Sequence, residues 1–526
     1  VTICCVAIGG YAVEAITEPP PASFHDQLCS LPDHWRELVQ RGYHSGRSGQ
    51  ISYLPATPIY FAGGGDGWSH SGPWPYLQEV PIVFYGPGLI PATGLVDDTG
   101  HTMADVAPTI ATLLKGALGS TDGATLPEAA SLQRTLRQRT PKVIVTMVWD
   151  GGGWNTLDAH PDSWPNLHRM IEEGVAYSAE VGSSPSVTPA IHTTLGTGVF
   201  PATHGITGVP VLDEQGKAVD PFLDGASGRF MEVPAMAERW DEQTGNRALV
   251  GMIGHVPWHL GMIGVGAERA SGDKDHAAWL DLETNRWVTN EDHYSLPAYF
   301  GDQINLRRVL ERADASDGET DEEWNGVPTT DRAHWDELPA FAQHHTEELL
   351  GLMEAEGYGR DAVADLMFTN YKQIDLLGHY FNMASDQVGA AIEATDDALA
   401  EILAWLDANV GRGAYVVVVT ADHGQQPSAE AVDAFGIDSN ELFEDLIDRF
   451  GPVVQDVAPT EVFLDEGELQ RRGLEVADVA RFIGDYRLGD NATTSLQDLL
   501  GAGSYDPYDR LFAMAVPSEM VAQTSC

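Results

Sequence analysis

Two short β-rich runs, residues 143–148 and 415–419, each lead into an acidic turn: VIVTMVWDGGG and AYVVVVTADHG. Short β-rich runs with no polar alternation suit strands buried on both faces, as in a parallel sheet covered by helices. Residues 81–85 and 365–368 are similar runs, and amphipathic stretches at 103–114, 164–173, 388–406 and 441–450 lie around them. This alternation predicts an α/β sandwich with a largely parallel sheet. In such sheets ligands bind beyond the carboxyl ends of the strands. Asp150, Asp422 and His423 therefore stand where chemistry is expected.

At 526 residues and 43% hydrophobic content the chain can bury a large core. Its 78 acidic and 29 basic residues give a net charge of −49, which excludes gripping nucleic-acid phosphates through a basic surface. No CxxC pair occurs among the four cysteines, so neither a zinc ribbon nor a disulfide scaffold is expected. Residues 3–13 are apolar but too few to span a bilayer, which takes about 20. Residues 1–24, with Glu18, Pro19, Pro20 and Pro21 after that run, read as the remnant of a leader or membrane anchor and its tether. A secreted or extracytoplasmic location is expected, with the amino terminus as a membrane tether. Residues 117–141 are small and polar and read as a linker. Residues 212–340 show few strand signals and read as an insertion covering one edge of the core.

An adjacent carboxylate and imidazole, as at Asp422 and His423, suit a divalent cation such as zinc. In FTNYKQIDLLGHY, Asp375 and His379 are four residues apart and share one face of a helical turn. Each element is weak alone; three at strand ends supply the donors that a pair of metal ions about 4 Å apart requires. In SSPSVTPAIHTTLGTG, Thr188 and Pro189 read alone as a helix cap and first helical residue. Beside metal ions, a hydroxyl at a helix amino terminus also suits a nucleophile for phosphorus, because the helix dipole favours an anion there.

Together VWDGGG, TPAIHTTLGTGVFPATHGI, QIDLLGH and TADHG resemble the alkaline phosphatase superfamily, most closely its nucleotide pyrophosphatases and phosphodiesterases with a threonine nucleophile. The resemblance implies an alkaline-phosphatase-like three-layer sandwich and two divalent metal ions, zinc by the family pattern. It assigns Asp150, Asp422 and His423, with the Thr188 oxygen, to one ion and Asp375 and His379 to the other. The missing histidine normally lies downstream of DHG. Here the matching text, WSHSGPWPYLQEVPIVFYGPG, stands near the amino terminus and supplies His70. The chain thus resembles a circular permutant: residues 25–116 correspond to the usual carboxyl end of the core, and residues 142–526 supply the main core with the insertion. That order implies that Cys29 and Cys526 lie close together, as a disulfide across the cut.

The implied reaction is hydrolysis of a small phosphorylated substrate through a phosphothreonine at Thr188. A sulfatase reading fails, because no arginine follows Ser183, Pro185 and Val187 in the required pattern. The family's diesterases carry an asparagine after HGI, where Thr207 stands. Its threonine monoesterases carry a Lys-x-Arg pair, where GHVPWHLGMIG offers His255, Trp258 and His259. His255 and His259 are candidate substrate contacts, with structural roles as the alternative. Without fixed cations a dianionic monoester is poorly compensated, so a phosphodiester or pyrophosphate substrate is expected. A phosphomonoesterase, a phosphomutase and a non-catalytic binding protein keeping the fold are the alternatives.

Overall fold

A computed structural model describes residues 3–8, 11–16, 23–56, 60–63, 67–96, 100–134, 140–269, 272–281, 283–301, 306–330, 336–428, 435–491 and 506–526. Nine strands form the main sheet. In chain order they are β1 (Glu79–Tyr85), β2 (Gly94–Val96), β3 (Val143–Trp149), β4 (Val175–Glu180), β5 (Val250–Gly254), β6 (His276–Asp281), β7 (Arg286–Val288), β8 (Asp365–Tyr371) and β9 (Tyr415–Thr420). Across the sheet the order is β7-β6-β5-β8-β3-β9-β1-β4-β2. The central run from β6 to β9 is parallel, whereas β7 and β1 pair antiparallel with their neighbours.

Strand β3 shows why its sequence is apolar at every position but Thr146. Ile144 and Val148 join the core on one face, while Val143, Val145, Met147 and Trp149 join the core on the other. The period of two thus sends both halves of the run into hydrophobic surroundings. Helices α1 (Val106–Leu114) and α2 (Thr188–Thr197) contribute to the first face; α3 (Pro339–Glu356), α4 (Gln373–Phe381) and α5 (Asp386–Leu406) cover the second.

The strands and helices expected from periodicity are present, displaced by a few residues at their ends. Two regions differ from the sequence reading. Residues 212–340 are more than a cover: they build the sheet edge β5-β6-β7. Their strand signals are short and broken by the charged turn at Asp281 to Arg286, which hides the period. The segment read as a linker folds back on the core, burying Leu126 and Ala129 and bonding Ala129 N–H to the Tyr177 hydroxyl at 3.1 Å.

At the amino terminus Ile3–Ile8 and Tyr11–Ile16 pair as an antiparallel hairpin. The tether residues Glu18 to Pro21 lie outside the described residues. Among the described residues no helix is long and apolar enough to cross a membrane. A smaller four-stranded sheet, ordered Val454–Ala458, Glu461–Leu464, Ile51–Pro55, Phe512–Pro517, pairs the early strand Ile51–Pro55 with strands from the last part of the chain. Beside it Cys29 and Cys526 form a disulfide with a Cα–Cα distance of 5.5 Å, within the usual range for a bridge.

A cross-link between segments this distant in sequence restricts the unfolded chain. Cys526→Ser is expected to lower stability by about 2–4 kcal/mol, read as a lower urea midpoint. Reducing agent should bring the unaltered protein to the same midpoint, and coincident midpoints without reductant would remove the stabilising role.

Candidate functional site

Register places three strand ends side by side. Trp149 of β3 pairs with Tyr371 of β8, and Thr420 of β9 pairs with Val148 of β3. The residues that follow these strands, Asp150, Lys372, Asp422 and His423, consequently share one edge of the sheet, and all are buried. Gly151 adopts a φ of +71°; a Cβ there would come within 3.1 Å of the Asp375 Cα and collide with Gln425. At Gly424 a Cβ would sit 2.1 Å from the Tyr76 carbonyl oxygen. The glycines of WDGGG and DHG are therefore what lets these turns close on one another.

Asp375 and His379 follow on α4, with His379 Nε2 3.4 Å from Asp375 Oδ1. His70 arrives from the segment before β1 and is tied to the approach to Thr188. The Ser186 hydroxyl donates to the His70 carbonyl oxygen at 2.8 Å, and His70 Nδ1 lies 3.2 Å from the Ser186 carbonyl oxygen. His70 Nε2 is 3.4 Å from Asp375 Oδ1, and its ring stacks on His423 at 3.5 Å between centroids. Three sets of donors result: His70 with Asp375 and His379, Asp150 with Asp375 and His423, and Asp150 with His192 and His259; within each set the ligand atoms lie within 4.8 Å of one another. Asp375 belongs to the first two and Asp150 to the last two.

Helix α2 begins at Thr188 with Val187 in the cap position, one residue earlier than the sequence suggests. The Thr188 hydroxyl faces the donor sets: it donates to Asp150 Oδ1 at 3.4 Å and accepts from Lys372 Nζ at 3.2 Å. Asp422 Oδ1 accepts the Gly151 N–H at 3.1 Å. Its Oδ2 lies 3.6 Å from His423 Nε2, and both atoms are buried without a hydrogen-bond partner. Orphaned carboxylate and imidazole atoms facing each other suit a bound cation, so the residues present fit divalent metal ions.

Lys372 was not singled out by the sequence reading, although it is one of five lysines and follows a buried strand directly. Its ammonium contacts Asp150 Oδ1 at 2.8 Å and Asp375 Oδ2 at 2.7 Å. Burial works against its charge, but the carboxylates of Asp150, Asp375 and Asp422 outweigh that and hold it above the ordinary lysine value. Burial likewise lowers His423, yet Asp422, Asp150 and Asp375 push it up to about 9. Two further polar residues of the site were passed over. Asn370 donates to Asp150 Oδ2 at 2.9 Å, and His192, one turn along α2 from Thr188, lies 3.4 Å from Asp422 Oδ2.

The two histidines expected to touch substrate each have one protein partner. His255 pairs with Asp336 at 2.8 Å. His259 is fully buried and meets His192 at 3.0 Å, Nδ1 to Nδ1. From the same segment Trp258 also approaches the centre, its ring 6.0 Å from Lys372 Nζ.

Residues 144–472, more than half of the chain, match the family of type I phosphodiesterases and nucleotide pyrophosphatases. The chain belongs to this family. It is 24% identical over 409 residues to alkaline phosphatase PafA of Elizabethkingia meningoseptica, covering 67% of this chain and 74% of that protein. To alkaline phosphatase PhoV of Synechococcus elongatus it is 24% identical over 334 residues, covering 54% and 59%. The solved structure of wild-type PafA superposes with a TM-score of 0.53 at 20% identity, over 66% of this chain and 76% of that one. The alkaline-phosphatase-like sandwich is thereby established, and the protein is a phosphoric-ester hydrolase of that superfamily.

Removing the ammonium leaves Asp150 and Asp375 buried against each other. Lys372→Met is expected to destabilise the protein in chelator by about 3–5 kcal/mol. Added zinc should restore more stability to the variant than to the unaltered protein. Equal melting temperatures in chelator would show that Lys372 does not neutralise these carboxylates.

Proposed function

We propose that the protein hydrolyses small phosphoric esters with Thr188 as the nucleophile. Asp150, Asp422 and His423 would hold one divalent ion with the Thr188 oxygen, and His70, Asp375 and His379 the other, with zinc the best match to this nitrogen and oxygen set. Such ions would supply charge neutralisation for the attacking and leaving oxygens. The observation that carries the reading is the Thr188 hydroxyl, set at a helix amino terminus between the Asp150 carboxylate and the Lys372 ammonium. Asp150 orients the hydroxyl by accepting its hydrogen bond, and Lys372 stabilises negative charge on Oγ1 as the proton leaves to solvent. Oγ1 forms the new bond to phosphorus while the ester P–O bond breaks, and the departing oxygen takes a proton from water. Water then cleaves the phosphothreonine, returning a proton to Thr188.

Lys372 also bears on the substrate. A dianionic monoester requires a fixed cation for its extra charge, and the buried ammonium 3.2 Å from Oγ1 supplies one. The curated relatives named alkaline phosphatase favour the same substrate class, while the family match keeps the diester and pyrophosphate reading in play. We take the monoester as the better supported. The disulfide supports an extracytoplasmic location.

The zinc-loaded protein should hydrolyse p-nitrophenyl phosphate faster than bis-p-nitrophenyl phosphate. Thr188→Ala should lower turnover of either by at least about 10³-fold, and Lys372→Met should lower kcat/KM for the monoester more than for the diester. Diester preference unaffected by Lys372→Met would overturn the monoester assignment. Turnover surviving in Thr188→Ala would overturn the nucleophile.

The permuted order is likewise a proposal, supported by the pairing of Ile51–Pro55 with Phe512–Pro517 and by the Cys29–Cys526 bridge. A chain joined from Cys526 to His25 through a short linker and opened within residues 117–141, with residues 1–24 removed, should fold and keep the activity of the parent. An insoluble or metal-free product would count against it.

A further inference from the structure

A second group of acids lies away from the centre just described. Asp241 belongs to the helix Met236–Thr244, while Asp273 and Asp275 lie in the turn that enters β6. One carboxylate oxygen from each falls within 4.8 Å of the other two. The three line a cavity of about 20 Å³, room for roughly one water-sized sphere.

This group is more than a solvated acidic patch. Asp241 is only 4% exposed and Asp275 8%, and Asp241 Oδ1 is buried with no hydrogen-bond partner. Leaving a buried carboxylate oxygen unmatched is costly, and here it faces like charge. Burial first, and then Asp273, push Asp241 up to about 7. The neighbouring cations are committed elsewhere. Arg269 donates to Glu238 at 2.7 Å, Arg239 pairs with Glu242 at 3.4 Å, and the Lys274 ammonium turns to the Glu291 carbonyl oxygen. Five carboxylates (Glu238, Asp241, Glu242, Asp273, Asp275) and two guanidinium groups (Arg239, Arg269) line the cavity, leaving a net charge of −3 when all are ionised.

We propose that Asp241, Asp273 and Asp275 form a calcium site. The donors are all oxygen, which selects hard cations over zinc. Calcium suits them better than magnesium, because it takes 6–8 oxygens in flexible geometry, including both oxygens of a carboxylate, whereas magnesium demands near-ideal octahedral geometry and keeps its waters. The ion would tie the helix Met236–Thr244 to the turn entering β6, securing the edge of the main sheet. Affinity in the range of extracellular calcium modules, about 10⁻⁴–10⁻³ M, is expected.

The test is calorimetric titration of zinc-loaded protein with calcium chloride, with melting temperatures measured in parallel. One equivalent of calcium should bind and raise the melting temperature. Asp275→Asn should weaken binding by at least tenfold, a factor equal to about 1.4 kcal/mol, and should raise the melting temperature in the absence of calcium by relieving repulsion. Asp273→Asn, on an exposed side chain, offers the same test without disturbing a buried group. Absence of calcium binding, or binding unchanged in both variants, would overturn the site; so would an equally tight response to magnesium, which would point to diffuse screening.

Discussion

Buried negative charge at the carboxyl edge of the sheet is the constraint around which the catalytic centre is arranged. Asp150, Asp375 and Asp422 converge there with almost no access to water, an arrangement that only nearby positive charge makes tolerable. The Lys372 ammonium supplies part of it by bridging Asp150 and Asp375, and the His423 imidazole, held charged by the same carboxylates, supplies more. An assembly of this kind is poised for cations. The same ammonium also donates to the Thr188 hydroxyl at 3.2 Å, so the group that offsets the buried carboxylates lies beside the start of α2.

The sheet makes this convergence possible because its parallel strands end in register. β3, β8 and β9 deliver an acid or a lysine to the same edge at each of three consecutive ends, and the glycine turns let the following backbone segments come within van der Waals distance. His70 comes from the segment before β1, and reciprocal contacts with Ser186 fix it to the strand-to-helix turn carrying Thr188. A shift of that turn would move Thr188 and His70 together, so their relative geometry is protected against motion of either segment alone.

Most of the centre was legible because its residues sit in short motifs where local sequence dictates local geometry. The apolar runs announce buried strands, the i,i+4 spacing of Asp375 and His379 puts both on one helical face, and the resemblance to a known family joins the motifs. Lys372 was missed for a physical reason: a lysine after a strand is ordinarily a solvated end, and only the register with β3 reveals that its neighbours are carboxylates. His192 was hidden in the same way, since its partner Asp422 is 230 positions away in sequence. The edge strands β5, β6 and β7 were obscured because two of them abut charged turns. His255 and His259, the candidate substrate contacts, have protein partners that no local motif announces, Asp336 and His192.

The separation in sequence between His70 and the other donors shows what connectivity does and does not control. The donor set needs His70 near Asp375 and His379, and that requirement concerns position in space, not order along the chain. Strand β1 meets this need by lying between β9 and β4, with His70 nine residues before it. Its antiparallel pairing with β9 means that the amino end of β1 lies at the carboxyl edge of the parallel strands, so the segment preceding β1, and not the one following it, reaches the centre. A parallel strand at that place would have carried His70 to the opposite edge. The direction of this one strand, together with the disulfide that fastens the segment's beginning to the chain's last residue, is what allows a residue so early in the sequence to complete a site built from residues 150–423.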